Sequence, residues 1–452
     1  MKKCRVFVPF GAIGMGINDE AFCRGVELKP DVISADAGST DSGPYYLGTG
    51  SCKYAREAVK RDVKMMVCAG AALKIPVTIG SSGTCGVDQS VDEMADIIHE
   101  IAVEEGLVLK IAKIYSEQSP ENIAALYNCG KLEAMSGAPL ISYGDIMECE
   151  HIVGLAGIEP FIAAFKQGAD VIICGRATDT AVIAAYPIYQ GCNEAMSWHA
   201  AKTMECGCIC TTDPFDGGVF AELDETGFTV EATSPTSACT PYTISAHLLY
   251  ENADPIKLWE PGICINTSQA VYTQIENGKV RVEGTTIEKL PYTIKLEGAR
   301  AVGYQTASLT GIRDRTIMKD PYHWLNRLEE FGKGKLDALG ISREEYAISM
   351  APYGYNAVYG GEVPDGYVPN EIGVLFRCIA KTQEMATKIA KIFNPYLLHY
   401  PVEEGKQMPS FAFPFSPNEF ERGRQYEFVL YHLAHVDDYN EMFRIEYEFQ
   451  EV

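Results

Sequence analysis

Pro30-Asp-Val-Ile-Ser-Ala35 runs straight into Asp36-Ala-Gly-Ser-Thr-Asp-Ser-Gly-Pro-Tyr-Tyr46. An apolar segment of strand length is followed, within eight residues, by two carboxylates, three hydroxyls and two glycines. That is the composition of a loop at the carboxyl end of a buried strand, where open α/β sheets place their ligands. Such a loop can hold a metal through hard oxygens, move protons, or cap the helix that follows.

The same pattern recurs outward from this junction. Arg5–Phe10 leads into Gly11-Ala-Ile-Gly-Met-Gly16, and Pro76-Val-Thr-Ile79 into Gly80-Ser-Ser-Gly-Thr84. Leu107–Ile114 reads as the next strand. Pro139-Leu-Ile-Ser142 precedes Tyr143-Gly-Asp145, and Ala169-Asp-Val-Ile-Ile-Cys174 precedes Gly175-Arg-Ala-Thr-Asp-Thr180. Helical patterns over about 50–72, 89–105 and 121–132 fill the intervals. Strand, glycine loop and helix in repetition predict an α/β fold, a parallel sheet flanked by helices.

The second half changes character. Val219–Ala232 reads as a hairpin, and Val271–Val282 alternates in period two around the turn Glu276-Asn-Gly-Lys279. Strands are expected over Tyr292–Gly298, Ala301–Thr310 and Gly373–Cys378, and helices over Tyr322–Phe331 and Thr382–Phe393. These segments predict a C-terminal α+β layer domain. The expected division is an α/β domain over residues 1–220, with ligand loops at its strand ends, and an α+β domain over 221–452.

Acidic residues outnumber basic ones by 61 to 38, giving a net charge of −23. That sign argues against nucleic acid or an anionic membrane as partner and leaves room for a small anionic ligand. No apolar stretch has the length of a transmembrane helix. The basic start before Arg5–Phe10 reads as a first strand rather than a secretory signal. Fifteen cysteines, scattered and mostly in apolar runs, fit reduced thiols in a cytoplasmic protein.

Several stretches carry residues suited to chemistry. Backbone N–H groups of Gly80-Ser-Ser-Gly-Thr84 can bind an anion, with Ser81, Ser82 and Thr84 beside it, or the segment caps a helix. Gly11–Gly16 is a weaker ligand loop of the same kind. Arg176 can clamp a carboxylate with Asp179 as base, or the two can staple their own loop. Cys206, Cys208 and Cys210 would project from one face of a strand, as metal ligands or as packed thiols, with Asp213 and Asp216 close behind. His247 is placed at the head of a helix with Glu251 one turn later, suited either to acid–base work or to capping. Arg313, and His432 with His435 and Asp438, are lesser candidates. Nothing supports hydride or phosphoryl transfer, since no dinucleotide fingerprint or P-loop is present.

Taken in order, Asp36–Pro44, Gly175-Arg-Ala-Thr-Asp179, Glu205-Cys-Gly207 and Thr240-Pro-Tyr-Thr-Ile-Ser-Ala-His-Leu-Leu-Tyr-Glu251 resemble the acyclic terpene utilisation (AtuA) family. Lys295-Leu-Glu-Gly298, Gly311-Ile-Arg-Asp314 and Val436-Asp-Asp438 with Met442-Phe-Arg444 extend the resemblance over nearly the whole chain. The family takes its name from a bacterial citronellol and geraniol degradation cluster. The resemblance implies a companion protein of small ferredoxin-like fold. The sequence ends at Val452 without such an extension, so a separate subunit in a homo- or hetero-oligomer is expected. Many relatives continue Glu-Cys-Gly-Ala-Gln where this chain has Glu205-Cys-Gly-Cys-Ile-Cys210, which sets the extra thiols apart from any family-wide metal site.

Residues and resemblance together point to an enzyme of carboxylic-acid catabolism. The expected reaction is that of a lyase of the hydratase or dehydratase kind, on a branched or hydroxylated carboxylic acid or its CoA thioester. A double-bond isomerase and a non-catalytic ligand-binding subunit are the alternatives. Asp36, Asp41, Asp179 and His247 are the candidate catalytic groups. Ser39, Thr40, Ser42, Ser81, Ser82, Thr84, Arg176 and Arg313 are the candidate substrate-binding groups, and Asp36 and Asp41 the candidate ligands of a divalent metal.

Overall fold

Five short apolar segments form the parallel centre of the main sheet: β1 (Cys4–Val8), β2 (Val32–Asp36), β3 (Val77–Gly80), β4 (Leu109–Tyr115) and β5 (Val171–Cys174). The computed structural model describes residues 3–250, 252, 254–406, 408–409 and 411–450. The five strands lie in the order β1-β2-β3-β5-β4, each parallel to its neighbour. Every residue of β2, β3 and β5 is buried, as a sheet covered on both faces requires. Alternate residues serve opposite cores. Val171 and Ile173 pack with helices Arg56–Leu73 and Asp88–Glu105, while Ile172 and Cys174 pack with Glu159–Lys166 and Asp179–Tyr189.

Antiparallel strands extend both edges of this centre. Val219–Leu223 pairs with β1, and Gly227–Ala232, Lys279–Glu283 and Val271–Glu276 follow outward. Arg444–Gln450 closes the opposite edge against β4. The hairpin over 219–232 therefore completes the first sheet instead of opening a second domain. It satisfies backbone groups that an edge strand β1 would leave unpaired.

The chain divides into one unit of residues 1–300 with 428–452 and another of residues 301–427. This replaces the division expected at 220, because the strands following that point belong to the main sheet. The second unit is α+β. Tyr346–Tyr353 pairs with Ile372–Ala380, which pairs with Tyr304–Ile312. Helices Pro321–Ala338 and Gln383–His399 bury Trp324, Leu328 and Phe393 with Phe376.

Local differences from the sequence reading have local causes. Segments expected as separate strands near 292–298 and 301–310 form one strand, Thr293–Ile312, since no turn residue pair interrupts the alternation. Residues 139–142 form no strand; Ser142 instead caps the helix Tyr143–Met147 in a reciprocal box with Asp145. Cys206–Cys210 is no strand either, because Gly207–Cys210 closes a 3₁₀ turn. His247 ends the helix Pro241–His247, whose start Thr240 caps.

Candidate functional site

The parallel order sets the carboxyl ends of β1, β2, β3 and β5 side by side, and their loops meet there. Ile13 N donates to Asp36 O at 2.9 Å, Ala37 N to Gly80 O at 2.9 Å, and Ser82 N to Cys174 O at 3.1 Å. Gly38 has φ +155°, and a Cβ there would fall 2.3 Å from Thr84 Cα. Only glycine allows this approach of the two loops. Ser81 and Thr84 themselves hold positive φ of 46° and 82°. For a β-branched residue such as Thr84 that is backbone strain of roughly 1–3 kcal/mol, of the kind that gathers at functional sites. Between these loops lies a cleft of about 520 Å³, lined among others by Asp36, Ser39, Asp41, Ser42, Lys53, Thr84, Asp179 and Cys206.

Asp36 is 4% exposed. Its Oδ2 accepts from Gly38 N at 2.8 Å, whereas Oδ1 has no hydrogen-bond partner. Burial, and then the neighbouring Asp179, push its carboxyl well above the usual range, against the pull of Arg176. Thr178 caps the helix that follows β5 through Ala181 N, which puts Asp179 in the first turn. A helix start favours a charged carboxylate. Burial nevertheless raises Asp179 to about 6, with Arg176 opposing and Glu205 assisting.

Arg176 organises the charges behind the cleft. Its Nη1 donates to Ser81 Oγ at 2.9 Å and lies 3.5 Å from Asp179 Oδ1, while its Nε is 3.3 Å from Glu297 Oε2. Lys295 Nζ sits 2.8 Å from the other Glu297 oxygen. Burial alone would raise Glu297, but the charges of Arg176 and Lys295 outweigh it and hold the carboxyl down at about 2. Beside this group, Lys202 pairs with Glu205, and Thr180 donates to Glu205 Oε2 at 2.7 Å. Burial raises both Glu205 and the neighbouring Glu260. Asp36, Asp179, Glu205, Glu260 and Glu297 thus face Arg176, Lys202 and Lys295. With more acids than cations, the site must keep a proton on a carboxyl or take up a further cation.

The sequence-predicted residues divide by position. Asp36, Ser39, Asp41, Ser42, Thr84 and Asp179 line the cleft. Thr40 donates to Glu297 Oε2 at 3.1 Å. Ser81 and Ser82 are fully buried, and Ser82 Oγ has no partner. Arg176 is itself buried and engaged with protein carboxylates. His247 is buried against Tyr250, ring centroids 5.7 Å apart, and neither ring nitrogen has a hydrogen-bond partner. Burial, then Lys202, lowers its pKa to about 4. Its expected neighbour Glu251 lies outside the described residues. Arg313 belongs to the second unit, where it is exposed just past the strand ending at Ile312, and the charge cluster is built without it.

The remaining candidates have structural partners. Tyr143–Asp145 stands away from the cleft, with Asp145 paired to Arg300. His435 pairs with Glu133, Asp213 caps the turn at Phe215 N, and Asp216 accepts from Asn18. Gly11–Gly16 does reach the cleft, anchored through Gly14 N and Gly16 N on Asp62. Sequence reasoning missed Lys53, Lys202, Glu260 and Glu297 as parts of the site. Glu297 lay inside the matched segment Lys295–Gly298, but Lys53 and Glu260 carried no local signal. Among the described residues, the ligand atoms that converge in the manner of a metal site are those of Glu205, Cys206 and His247; Asp36 and Asp41 do not take part.

Fold and site together define an α/β protein with an acid-rich cleft at the carboxyl ends of its parallel strands. The family model described as acyclic terpene utilisation family protein AtuA matches residues 66–409. The chain belongs to that family. No curated protein and no solved structure matches it. No helix among the described residues is long and apolar enough to cross a membrane.

Proposed function

We propose that the chain is an enzyme of carboxylic-acid catabolism, a hydro-lyase acting on a branched or hydroxylated carboxylic acid, free or as its CoA thioester. The observation that carries this reading is Asp36 Oδ1, an unpartnered oxygen on a buried carboxyl lining the cleft. Asp36, whose carboxyl burial and the neighbouring Asp179 push well above the usual range, is assigned as the acid, and Asp179, near 6, as the base. Two carboxyls pushed apart in this way supply an acid and a base in one site.

In the dehydrating direction, Asp179 takes the proton from the carbon next to the substrate carbonyl. Asp36 gives its proton to the departing hydroxyl. The C–O bond breaks, water leaves, and the electron pair of the C–H bond becomes the new double bond. Solvent then returns a proton to Asp36 and removes one from Asp179. Among the described residues, Lys53 is the cation of the cleft lining; it donates to Ser42 Oγ at 2.9 Å and is the group to hold the substrate carboxylate. Met15, Ile209, Phe215 and Tyr250 offer apolar surface for a branched chain.

A cytoplasmic setting fits this reading, since none of the described cysteines forms a disulfide. A small companion subunit, as the family resemblance implies, belongs to the same proposal. The test is dehydration by the full chain, alone and with any companion that copurifies, across branched 3-hydroxy acids and their CoA thioesters. The wild type is expected to turn over at least one of them. Asp36→Asn should lose about 100-fold or more of that rate. Migration of a double bond without gain or loss of water would favour isomerase chemistry instead, and unaltered turnover by Asp36→Asn would refute the acid assignment.

A further inference from the structure

We propose that Glu205, Cys206 and His247 form a metal site, taking a divalent transition ion such as Zn²⁺ at the wall of the cleft. One carboxylate oxygen, the thiol sulfur and one imidazole nitrogen lie within 4.8 Å of one another. Small side-chain adjustments would close that spacing to the ligand separations of a tetrahedral ion, which follow from bond lengths of about 2.0–2.3 Å. Two elements end at the site and fix it. The helix Glu194–Met204 runs out at Glu205 and Cys206, and the helix Pro241–His247 runs out at His247.

The backbone at Cys206 has little freedom. Gly207 has φ +58°, and a Cβ on it would sit 2.7 Å from Gly11 N. The turn is therefore seated against the Gly11 loop, which positions the thiol.

The independent observation is His247. It is 5% exposed, and neither ring nitrogen has a hydrogen-bond partner. Buried polar groups are almost always satisfied, and a metal ion accepts what the protein leaves open here. Nitrogen, thiolate and carboxylate make a donor set suited to zinc and its neighbours rather than to magnesium or calcium. Lys202 and Thr180 each hold one oxygen of Glu205, orienting a carboxylate that still has lone pairs to give. Cys206 lines the cleft, so three protein ligands leave the fourth position turned toward it. The other thiols of the motif do not converge. Cys208 is on the cleft wall, whereas Cys210 is buried and donates to Gly207 O.

The proposal does not rest on the hydro-lyase reading, and its test is a binding measurement. The full chain is stripped with chelator, dialysed and reloaded with Zn²⁺ or Co²⁺. The expected result is a single tightly held ion, with the near-ultraviolet absorption of a thiolate bound to cobalt. Cys206→Ser should abolish that absorption, His247→Gln should weaken binding by about 100-fold, and Cys208→Ser should alter neither. A readout without any substitution is alkylation of the wild-type chain. Zn²⁺ should slow modification of Cys206 about 10-fold or more while the exposed Cys23 reacts as before. Failure of the stripped wild type to retain an ion at micromolar metal would overturn the site. So would cobalt absorption unchanged in Cys206→Ser, or alkylation of Cys206 at equal rates with and without Zn²⁺.

Discussion

Asp179 shows most clearly what the site costs the protein. Its folded-state pKa, near 6, lies above the ordinary 3.8, so the folded chain holds this proton more tightly than the unfolded one. The stability that the protonated form contributes is full below about pH 4 and is lost as pH rises through 6. Asp179→Asn imitates the protonated form and should gain up to about 2–3 kcal/mol at pH 7 while losing turnover. Urea unfolding at pH 7 and pH 4.5 checks this, since the gain should shrink at the lower pH. Glu297 has the opposite sign. Its carboxyl is held down at about 2, so its contribution is full above about pH 4.5 and fades as pH falls through 2. Glu297→Ala takes from buried Arg176 one of its two paired carboxylates, leaving Asp179, and should cost about 3 kcal/mol near neutral pH, read from the same unfolding curves. For catalysis, Asp179 as the base predicts a pH-dependent kcat/KM. It should rise through about pH 6 as Asp179 ionises.

At the scale of elements, the site is a meeting of loops, and Gly38 is the tightest of its joints. Gly38→Ala would drive a Cβ to within 2.3 Å of Thr84 Cα. It should cost about 2 kcal/mol or more and weaken ligand binding in the cleft, measured by thermal melting with and without ligand. Much at this scale is legible in the sequence. β2 announces itself by an apolar run ending in Asp36, and β3 and β5 by runs ending in Gly80 and Gly175. Parallel strands put such loops on one side, and that rule alone groups Asp36, Thr84 and Asp179. The charge partners are not legible. Lys53, Lys202, Glu260 and Glu297 arrive from a loop, a helix end and distant strands, and no periodicity marks a charged residue that turns inward. Arg176 illustrates the same gap. Its position at a strand end can be read, but its engagement by Glu297, 121 residues later, cannot. Nor can the 3₁₀ turn at Gly207–Cys210, where apolar composition alone does not separate turn from strand.

At the scale of the molecule, the two units have separate cores. Phe393 is fully buried in the second unit, its ring tilted against Phe376 at a centroid distance of 5.0 Å and pressed against Gly332. Phe393→Ala should destabilise that unit by about 3–5 kcal/mol, followed through the fluorescence of the buried Trp324. The cleft and its charge network lie wholly in the first unit, so the central claim concerns that unit's chemistry. It is tested most directly by running the dehydration in deuterium oxide with each aspartate replaced in turn. The account predicts that Asp179→Asn loses both deuterium uptake at the carbon next to the carbonyl and loss of water. It predicts that Asp36→Asn keeps the uptake while water loss falls about 100-fold. Full dehydration by either variant would contradict it.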